Sequence, residues 1–196
     1  MPSAKLSAKA RKVRLLLLDV DGVLTDGCLY VGEADLGDGR MVAVEAKAFH
    51  IHDGHGMKMA ARAGLLVGWV SSRYSAVTSQ RAREFGVTLV AQPAPGQKPP
   101  PPKLDMVRKM AKKIGIGLDE ICFLGDDLVD LPVLRAVGMP AAVANAVAEV
   151  RAAAAYVTRL PGGHGAAREL IELVLKAQGL WNRLLERYRS ENQARA

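Results

Sequence analysis

The chain has 196 residues, of which 49% are hydrophobic and 5% aromatic. This length suits one domain with a sizeable core. Two cysteines are too few for a disulfide framework or a cysteine-based zinc site. No apolar run reaches the ~20 residues of a membrane span. The first residues also lack the apolar segment and cleavage site of a secretory leader, so we expect a cytoplasmic protein that does not bind membranes.

The net charge of +7 belongs to the two ends of the chain. Residues 1–14 hold five bases and no acid, residues 168–196 hold six bases and four acids, and the stretch between them is balanced. The bases do not form a stripe studded with aromatic residues, so we expect no nucleic-acid partner. We predict that residues 1–12 form a frayed, solvated basic arm.

The predicted elements begin with an unbroken apolar run, Leu15–Leu18, that leads into Asp19, Asp21 and Gly22. Such a run is typical of a buried parallel strand. Two β-prone stretches follow between residues 28 and 49, separated by a loop of turn residues, and they predict a hairpin with a long loop.

Beyond the hairpin, strands alternate with helices. The pattern predicts strands over 65–70, 87–91, 120–124, 141–144 and 155–157, and helices over 55–63, 74–85, 103–114, 131–137, 147–153 and 166–189 with a break at Gly179. A proline-rich loop over 93–102, with four consecutive prolines, should be extended and stiff. The alternation predicts an α/β fold, a Rossmann-like three-layer sandwich with a mostly parallel sheet. We assign residues 13–178 to this single domain and 179–196 to a helical tail.

Polar groups follow several of the predicted strands. They are Asp19 and Asp21 after the first strand, Ser71 after the second, Asp126 and Asp127 after the fourth, and Lys103 at the start of the helix after the third. Ligands of open α/β sheets bind at this strand end. Neighbouring carboxylates need a cation, and Mg²⁺ prefers carboxylates, water and phosphate oxygens. A carboxylate can attack phosphorus, and a second one nearby can transfer protons. The pattern therefore predicts a magnesium-assisted phosphoryl-transfer site.

Each of these residues also has a simpler interpretation. Asp53, Asp126 and Asp127 are common helix-capping or turn residues, and Ser71 is a common turn residue. Lys98 competes with Lys103 for the role of the active-site lysine. Three histidines lie close in sequence, and we expect polar contacts from them rather than a zinc site, because no further ligands complete one; they are His50, His52 and His55.

The stretch Asp19–Gly27 resembles the first motif of the haloacid dehalogenase superfamily of phosphatases. The strand ending at Ser71, the residue Lys103 and the stretch Gly125–Asp130 are similar to the other three motifs. Further stretches resemble a capless subgroup that acts on phosphorylated 3-deoxy sugar acids. They are Thr25–Gly27, Lys47–Phe49, Asp53–Gly56, Gly125–Pro132, Tyr156–Thr158 and Gly162–Ala166.

The resemblance implies roles for individual residues. Asp19 would attack phosphorus and form an aspartyl-phosphate, and Asp21 would be the general acid and base. Ser71 and Lys103 would hold the phosphoryl oxygens. The Mg²⁺ ligands would be Asp19, Asp126 and the backbone carbonyl of Asp21, with Asp127 and Asp130 orienting them. The substrate-binding candidates are Lys47, Asp53, Arg73, Gly162 and Gly163.

The resemblance also implies a substrate and an assembly. The substrate would be 3-deoxy-D-manno-octulosonate 8-phosphate, which would place the reaction in lipopolysaccharide precursor synthesis. The hairpin would replace a cap domain and help to form a homotetramer, with the glycine-rich loop reaching a neighbouring active site. His52 and His164 stand where the subgroup commonly has arginine, and Ser72 where it usually has glycine. A nine-carbon substrate such as an N-acylneuraminate 9-phosphate is therefore an alternative, and a receiver-like phospho-aspartate signalling domain is an alternative of another class.

Overall fold

The computed structural model of the protein describes residues 3–193. In chain order its strands are β1 (Leu15–Asp19), β2 (Tyr30–Asp35), β3 (Met41–Ala46), β4 (Leu66–Val70), β5 (Leu89–Ala91), β6 (Ile121–Gly125), β7 (Met139–Ala142) and β8 (Tyr156–Val157). Its α-helices are α1 (Ala4–Arg11), α2 (Ile51–Arg62), α3 (Ala76–Phe85), α4 (Lys103–Ile114), α5 (Leu131–Leu134), α6 (Ala148–Ala153), α7 (Ala166–Ala177) and α8 (Trp181–Gln193).

Six strands form a parallel sheet in the order β5-β4-β1-β6-β7-β8. The chain builds one side of this sheet from β1 outward through β4 and β5, and then crosses to β6 on the other side. The strand order therefore reverses between β1 and β6, and this is the point at which open α/β sheets bind their ligands.

The leucines of β1 form the centre of the core. Leu15, Leu16, Leu17 and Leu18 have no exposed surface, because β1 has a neighbour on each side and helices on both faces. The helices α1, α2 and α7 pack on one another, while α4, α5 and α6 form a second group. The α/β sandwich that the sequence predicts is confirmed.

The predicted hairpin is also present. β2 and β3 pair antiparallel and form a small sheet of their own, joined by a turn-rich loop over residues 36–40. A single bridge between Thr25 and Phe49 fixes the base of the hairpin beside the turn that follows β1. This placement brings the hairpin to the carboxyl-terminal edge of the main sheet.

The prediction of a frayed, solvated basic arm is wrong for the described part of that segment. Residues 4–11 form helix α1, and the hydroxyl of Ser3 caps it by accepting a hydrogen bond from the N–H of Leu6. Leu6 and Ala10 are buried, because a spacing of four residues places both on one helix face. Residues 1 and 2 lie outside the described residues.

The start of α2 differs from the prediction. The helix begins at Ile51 rather than at residue 55, so His52 lies in its first turn. The predicted break at Gly179 is present between α7 and α8, and Gly179 has a φ of +71°. Helix α8 packs on the domain through Leu184, and residues 194–196 of the predicted tail lie outside the described residues. No helix in the described part of the chain is long and apolar enough to cross a membrane.

Candidate active site

The turn after β1 is shaped by a hydroxyl and a glycine. Thr25 donates to the carbonyl of Val20 and accepts from the N–H groups of Gly22 and Gly27, each at 3.3 Å. Gly22 has a φ of +92°, and a Cβ there would lie 2.1 Å from Oδ2 of Asp126. Only glycine fits this position, because the Asp126 carboxylate occupies the space that a side chain would need.

A buried ion cluster lies at the crevice between β1 and β6. Lys103 Nζ lies 2.9 Å from Oδ1 of Asp19 and 2.5 Å from Oδ1 of Asp130, and the three side chains are almost fully buried. Asp126 lies beside them at the end of β6. We refer to Asp19, Asp126, Asp130 and Lys103 as the buried aspartate cluster.

Burial and mutual charge shift the pKa values of this cluster. Burial raises the pKa of Asp19 well above its usual range, although Lys103 acts against this shift. Burial and the neighbouring Asp130 carboxylate raise the pKa of Asp126 to about 6. The pKa of Lys103 rises to about 12, because Asp19 and Asp130 outweigh the cost of burying its charge. The cluster holds more negative charge than one lysine balances, so it favours a further cation.

The residues present fit a divalent metal ion. Oxygens of Asp19, Asp126 and Asp130 lie within 4.8 Å of one another. Oδ1 of Asp126 is buried and has no hydrogen-bond partner among the described residues. Asp130 is already engaged, since it binds Lys103 and accepts from the N–H groups of Asp126 and Asp127. Asp19 and Asp126 are therefore the carboxylates available to a metal, and Asp130 positions them.

A second group of charges lies where the hairpin meets the sheet. Lys47 Nζ lies 2.6 Å from Oδ1 of Asp21, and Arg73 lies 3.5 Å from the same oxygen. Arg73 also binds Glu45 through both of its terminal nitrogens, at 2.8 and 3.1 Å. We refer to Asp21, Glu45, Lys47 and Arg73 as the hairpin cluster. The predicted acid–base residue therefore lies next to two of the predicted substrate-binding cations.

Glu45 is the functional candidate that the sequence analysis missed. The hydrogen bonds from Arg73 lower the pKa of Glu45 to about 2, even though partial burial acts in the opposite direction. Its Oε1 also accepts from the hydroxyl of Ser75 at 2.9 Å. A single acid on an exposed strand carries no sequence signal of such contacts, so only the structure identifies it.

The two residues that compete for the role of active-site lysine occupy different environments. Lys103 is buried in the aspartate cluster, whereas Lys98 is exposed in the proline-rich loop. Ser71 is buried, and its role as a phosphate-binding hydroxyl stays a prediction. Its Oγ donates to the carbonyl of Arg73 and accepts from the N–H of Arg73, so it also shapes this turn.

Asp53 is held by backbone groups of its own chain, and its role in substrate binding stays a prediction. Its carboxylate is buried and accepts from the N–H groups of Gly165 and Arg168, at 3.2 and 2.7 Å. Burial raises the pKa of Asp53, although these two N–H groups stabilise its charged form. Asp53 therefore anchors the start of α7 and the glycine-rich loop before it.

The glycine-rich loop packs against the catalytic turn of its own chain. The N–H of Gly163 donates to the carbonyl of Val23, and the N–H of Gly162 donates to Asn145. A Cβ at Gly162 would lie 1.7 Å from the carbonyl oxygen of Gly22. These two glycines are therefore needed for close packing, and their N–H groups are already used within the chain. That they also contribute to substrate binding stays a prediction.

The remaining predicted residues are Asp127 and the neighbouring histidines His50 and His52. Asp127 is exposed and caps the short 3-10 helix Leu128–Asp130 by accepting from the N–H of Leu128. The rings of His50 and His52 meet edge to face at 5.0 Å. Among the described residues, only the aspartates form a group that could hold a metal ion, and the histidines do not.

Sequence comparisons with known proteins identify the family of this chain. A family model described as haloacid dehalogenase-like hydrolase matches residues 102–170. The chain is 39% identical over 177 residues to the 3-deoxy-D-manno-octulosonate 8-phosphate phosphatase of Escherichia coli K12, covering 90% of this chain and 87% of that protein. The protein belongs to the haloacid dehalogenase-like hydrolases.

Solved structures of this family have the same fold. The structure of a 3-deoxy-D-manno-octulosonate 8-phosphate phosphatase from Moraxella catarrhalis, in complex with magnesium, phosphate and 3-deoxy-D-manno-octulosonate (KDO), matches with a TM-score of 0.82 and 34% identity, over 94% of this chain and 98% of that one. The cobalt-bound phosphatase from Haemophilus influenzae matches with a TM-score of 0.74 and 34% identity, over 87% of this chain and 92% of that one. The haloacid dehalogenase-like fold that the first motif indicated is confirmed.

Proposed function

We propose that this hydrolase is a Mg²⁺-dependent phosphatase that converts 3-deoxy-D-manno-octulosonate 8-phosphate into the free sugar acid and phosphate. The observation that carries the proposal is the buried aspartate cluster, in which Lys103 joins Asp19 and Asp130 beside the unpartnered Oδ1 of Asp126. The substrate follows from the names of the similar phosphatases. We expect the reaction to serve lipopolysaccharide precursor synthesis.

The nucleophile of the proposed reaction is Asp19. One of its oxygens binds Lys103, and this contact holds the carboxylate in a fixed orientation at the end of a rigid strand. Attack on the phosphoryl group forms an aspartyl-phosphate and releases the sugar alkoxide. Lys103 offsets the negative charge of the phosphoryl oxygens as well as that of Asp19. We expect Ser71 to bind a phosphoryl oxygen from the neighbouring strand end.

Asp21 is the proposed proton donor and acceptor. It lies two residues beyond Asp19, and 35% of its side chain is exposed. Lys47 and Arg73 hold this carboxylate in place. In the first step Asp21 protonates the leaving oxygen, and in the second it removes a proton from the water that attacks the aspartyl-phosphate.

We propose Asp19, Asp126 and the backbone carbonyl of Asp21 as the protein ligands of Mg²⁺. When bound, the ion supplies positive charge that lets the nucleophile and the substrate phosphate approach each other. Asp130 is not a proposed ligand, but it fixes the positions of neighbouring groups, because it accepts hydrogen bonds from Lys103 and from the N–H of Asp126. Asp127 caps the short helix that carries Asp130, so we expect it to affect the metal site only by positioning Asp130.

Arg73 and Lys47 are the proposed anchors for the carboxylate of the sugar acid. A guanidinium binds a carboxylate through two parallel hydrogen bonds, and Arg73 already binds Glu45 in this way. The substrate carboxylate would therefore replace Glu45 on Arg73 or share the arginine with it. This step makes the hairpin part of substrate binding.

We also propose that the hairpin joins copies of the chain into a homotetramer. Residues opposite each other in the β2–β3 register share a face, so the face that carries Glu45 points to the active site. Both faces expose apolar side chains, namely Val31 and Met41 on the Glu45 face, at 76% and 57%, and Tyr30 and Val44 on the other, at 54% and 43%. Exposed apolar residues grouped in this way are typical of a subunit interface.

A parallel measurement of kcat/KM tests the substrate assignment. We expect the purified protein with Mg²⁺ to prefer 3-deoxy-D-manno-octulosonate 8-phosphate over N-acylneuraminate 9-phosphate. A preference for the nine-carbon acid would replace the substrate and keep the mechanism. A single turnover of a generic phosphomonoester without release of phosphate would instead favour the signalling-domain alternative.

A further inference from the structure

The excess positive charge of the chain collects on one side of the molecule. Its two sources, residues 1–14 and 168–196, are far apart in sequence, but α1 packs against α7. The side-chain amide of Gln178 joins them by donating to the carbonyls of Ala10 and Val13, at 3.0 and 2.8 Å. The fold therefore unites the two basic segments that the sequence analysis left without a function.

Two adjoining depressions lie on this side. The larger has a volume of about 690 Å³, and it shares Ala63 and Leu180 with a smaller one. Five arginines line them, and we refer to these as the basic face: Arg11, Arg14, Arg62, Arg183 and Arg187. No acidic side chain of the described residues lines either depression. The basic face is therefore strongly electropositive.

Among the side chains that the structure describes, acids neutralise little of the charge of Arg11, Arg14, Arg183 and Arg187. Glu120 pairs with Arg14 at 3.2 Å, but the Arg14 side chain is 60% exposed, and exposed pairs of this kind are weak. Arg62 lies over the ring of Tyr188 at 5.1 Å, which holds its guanidinium against α8. Glu186 belongs to α8 and lines neither depression.

The basic face lies at the sheet edge opposite the catalytic one. Arg14 directly precedes β1, whereas Asp19 ends it, so at ~3.3 Å per residue the two edges are about 13 Å apart. Charge placed there does not guide an anionic substrate into the catalytic crevice, because it attracts anions to the wrong edge. The basic face therefore suits a second acidic partner that the phosphatase reaction does not explain.

The floor of the larger depression identifies the kind of partner. It is apolar, with Val13, Leu65 and Leu180 among its residues and Leu66 at 40% exposure. A flat bilayer does not reach a concave floor, and the lining offers no exposed aromatic ring on which nucleic-acid bases could stack. Arginines around an apolar floor are typical of protein–protein interfaces. We propose that the basic face binds an acidic segment of a partner protein, with a leucine-like side chain on the floor and aspartates or glutamates on the arginines.

A defined peptide tests this proposal on the full-length protein. The probe is a fluorescein-labelled peptide of two leucines flanked on each side by aspartate and glutamate, and binding is measured by fluorescence anisotropy. We expect Arg183→Glu with Arg187→Glu to raise Kd by about tenfold or more. Arg11→Glu on α1 should also weaken binding, independently of α8. A probe with serine in place of both leucines should bind at least about threefold more weakly, because the floor is apolar.

The matched control is Lys109→Glu with Lys112→Glu on the exposed side of α4, which changes the net charge by the same amount. We expect the control to bind the probe as the unaltered protein does, and all these variants to hydrolyse p-nitrophenyl phosphate at the unaltered rate. Equal loss of binding in both double variants would overturn the proposal in favour of diffuse attraction. Tighter binding of duplex DNA or of phosphatidylserine vesicles, lost in the Arg183/Arg187 variant, would replace the acidic protein with that partner.

Discussion

The buried aspartate cluster holds three carboxylates and one lysine in the protein interior, whereas the hairpin cluster holds two carboxylates balanced by two bases nearer the surface. The first is assembled by β1, β6 and the start of α4, and its ions lie in the protein interior. The second joins the hairpin to the ends of β1 and β4, and Asp21 and Arg73 keep 35% and 40% of their side chains exposed. Rigid, buried groups suit chemistry that tolerates no change of geometry, whereas partly exposed, mutually paired groups such as Arg73 and Glu45 can exchange partners with a ligand. We therefore expect the buried aspartate cluster to serve phosphoryl transfer and Arg73 to serve substrate selection, while Asp21 of the hairpin cluster transfers protons in the reaction.

The largest expected effect comes from the nucleophile. Asp19→Asn should lower kcat on any phosphomonoester by about 10⁴-fold or more, because an amide cannot attack phosphorus. Steady-state release of phosphate measures this. Asp119→Asn, an exposed position, is the matched control and should keep full activity. Substantial turnover by the Asp19 variant would show that the buried aspartate cluster does not carry the chemistry.

Lys103→Met should lower kcat by about 10³-fold, since it removes the charge that faces both Asp19 and the phosphoryl oxygens. It should also lower the melting temperature of the metal-free protein, because two buried carboxylates lose their counter-ion. Lys109→Met on the same helix controls for a change in helix stability. A kcat within tenfold of the unaltered enzyme would contradict the role of Lys103.

Arg73→Lys should weaken binding of the sugar-acid substrate more than it slows hydrolysis of the phosphate ester. We expect KM for the sugar-acid phosphate to rise about tenfold, because lysine cannot bind a carboxylate through two parallel hydrogen bonds. Turnover of p-nitrophenyl phosphate, which lacks the sugar acid, should change less than about threefold. Arg83→Lys on α3 is the control. Equal losses on both substrates would show that the two clusters are not separate in function.

The smallest expected effect is that of Asp126→Asn on the stability of the metal-free protein. The pKa of Asp126, about 6 in the folded state, is raised above its value in the unfolded chain. The folded state therefore binds the proton more tightly, and stability falls as pH rises through this range. Asp126→Asn should raise the melting temperature of the metal-free protein by about 2–4 °C near neutral pH and by less in acid. Differential scanning fluorimetry measures both values.

The same measurement in the presence of Mg²⁺ tests whether Asp126 is a metal ligand. It should stabilise the unaltered protein near neutral pH and leave the Asp126 variant nearly unchanged, because the variant lacks a charged ligand. A variant that is stabilised by Mg²⁺ as strongly as the unaltered protein would show that the ion binds elsewhere.

The sequence predicts the buried aspartate cluster well and the hairpin cluster poorly, for a physical reason. Apolar runs that end in acids define buried parallel strands, so Asp19, Asp126 and Lys103 could be assigned to one sheet edge. The partners of Glu45 depend on how the hairpin lies on the sheet, and alternation along a strand does not encode that. The contacts of Asp53 could not be predicted, because a capping acid and a binding acid look alike in sequence. The buried face of α1 was overlooked, since Leu6 and Ala10 are only two apolar residues among many bases.

The packing of the glycine-rich loop has a consequence for how the enzyme is made. The residues proposed to carry out the reaction all lie between 19 and 130. The turn after β1, however, packs against the backbone of Gly162 and Gly163. A nascent chain that has released only its first 150 or so residues from the ribosome holds each reactive side chain without the backbone that supports them. Activity should therefore begin only when the last third of the polypeptide has been synthesised, which keeps incomplete products of translation from acting on phosphorylated metabolites.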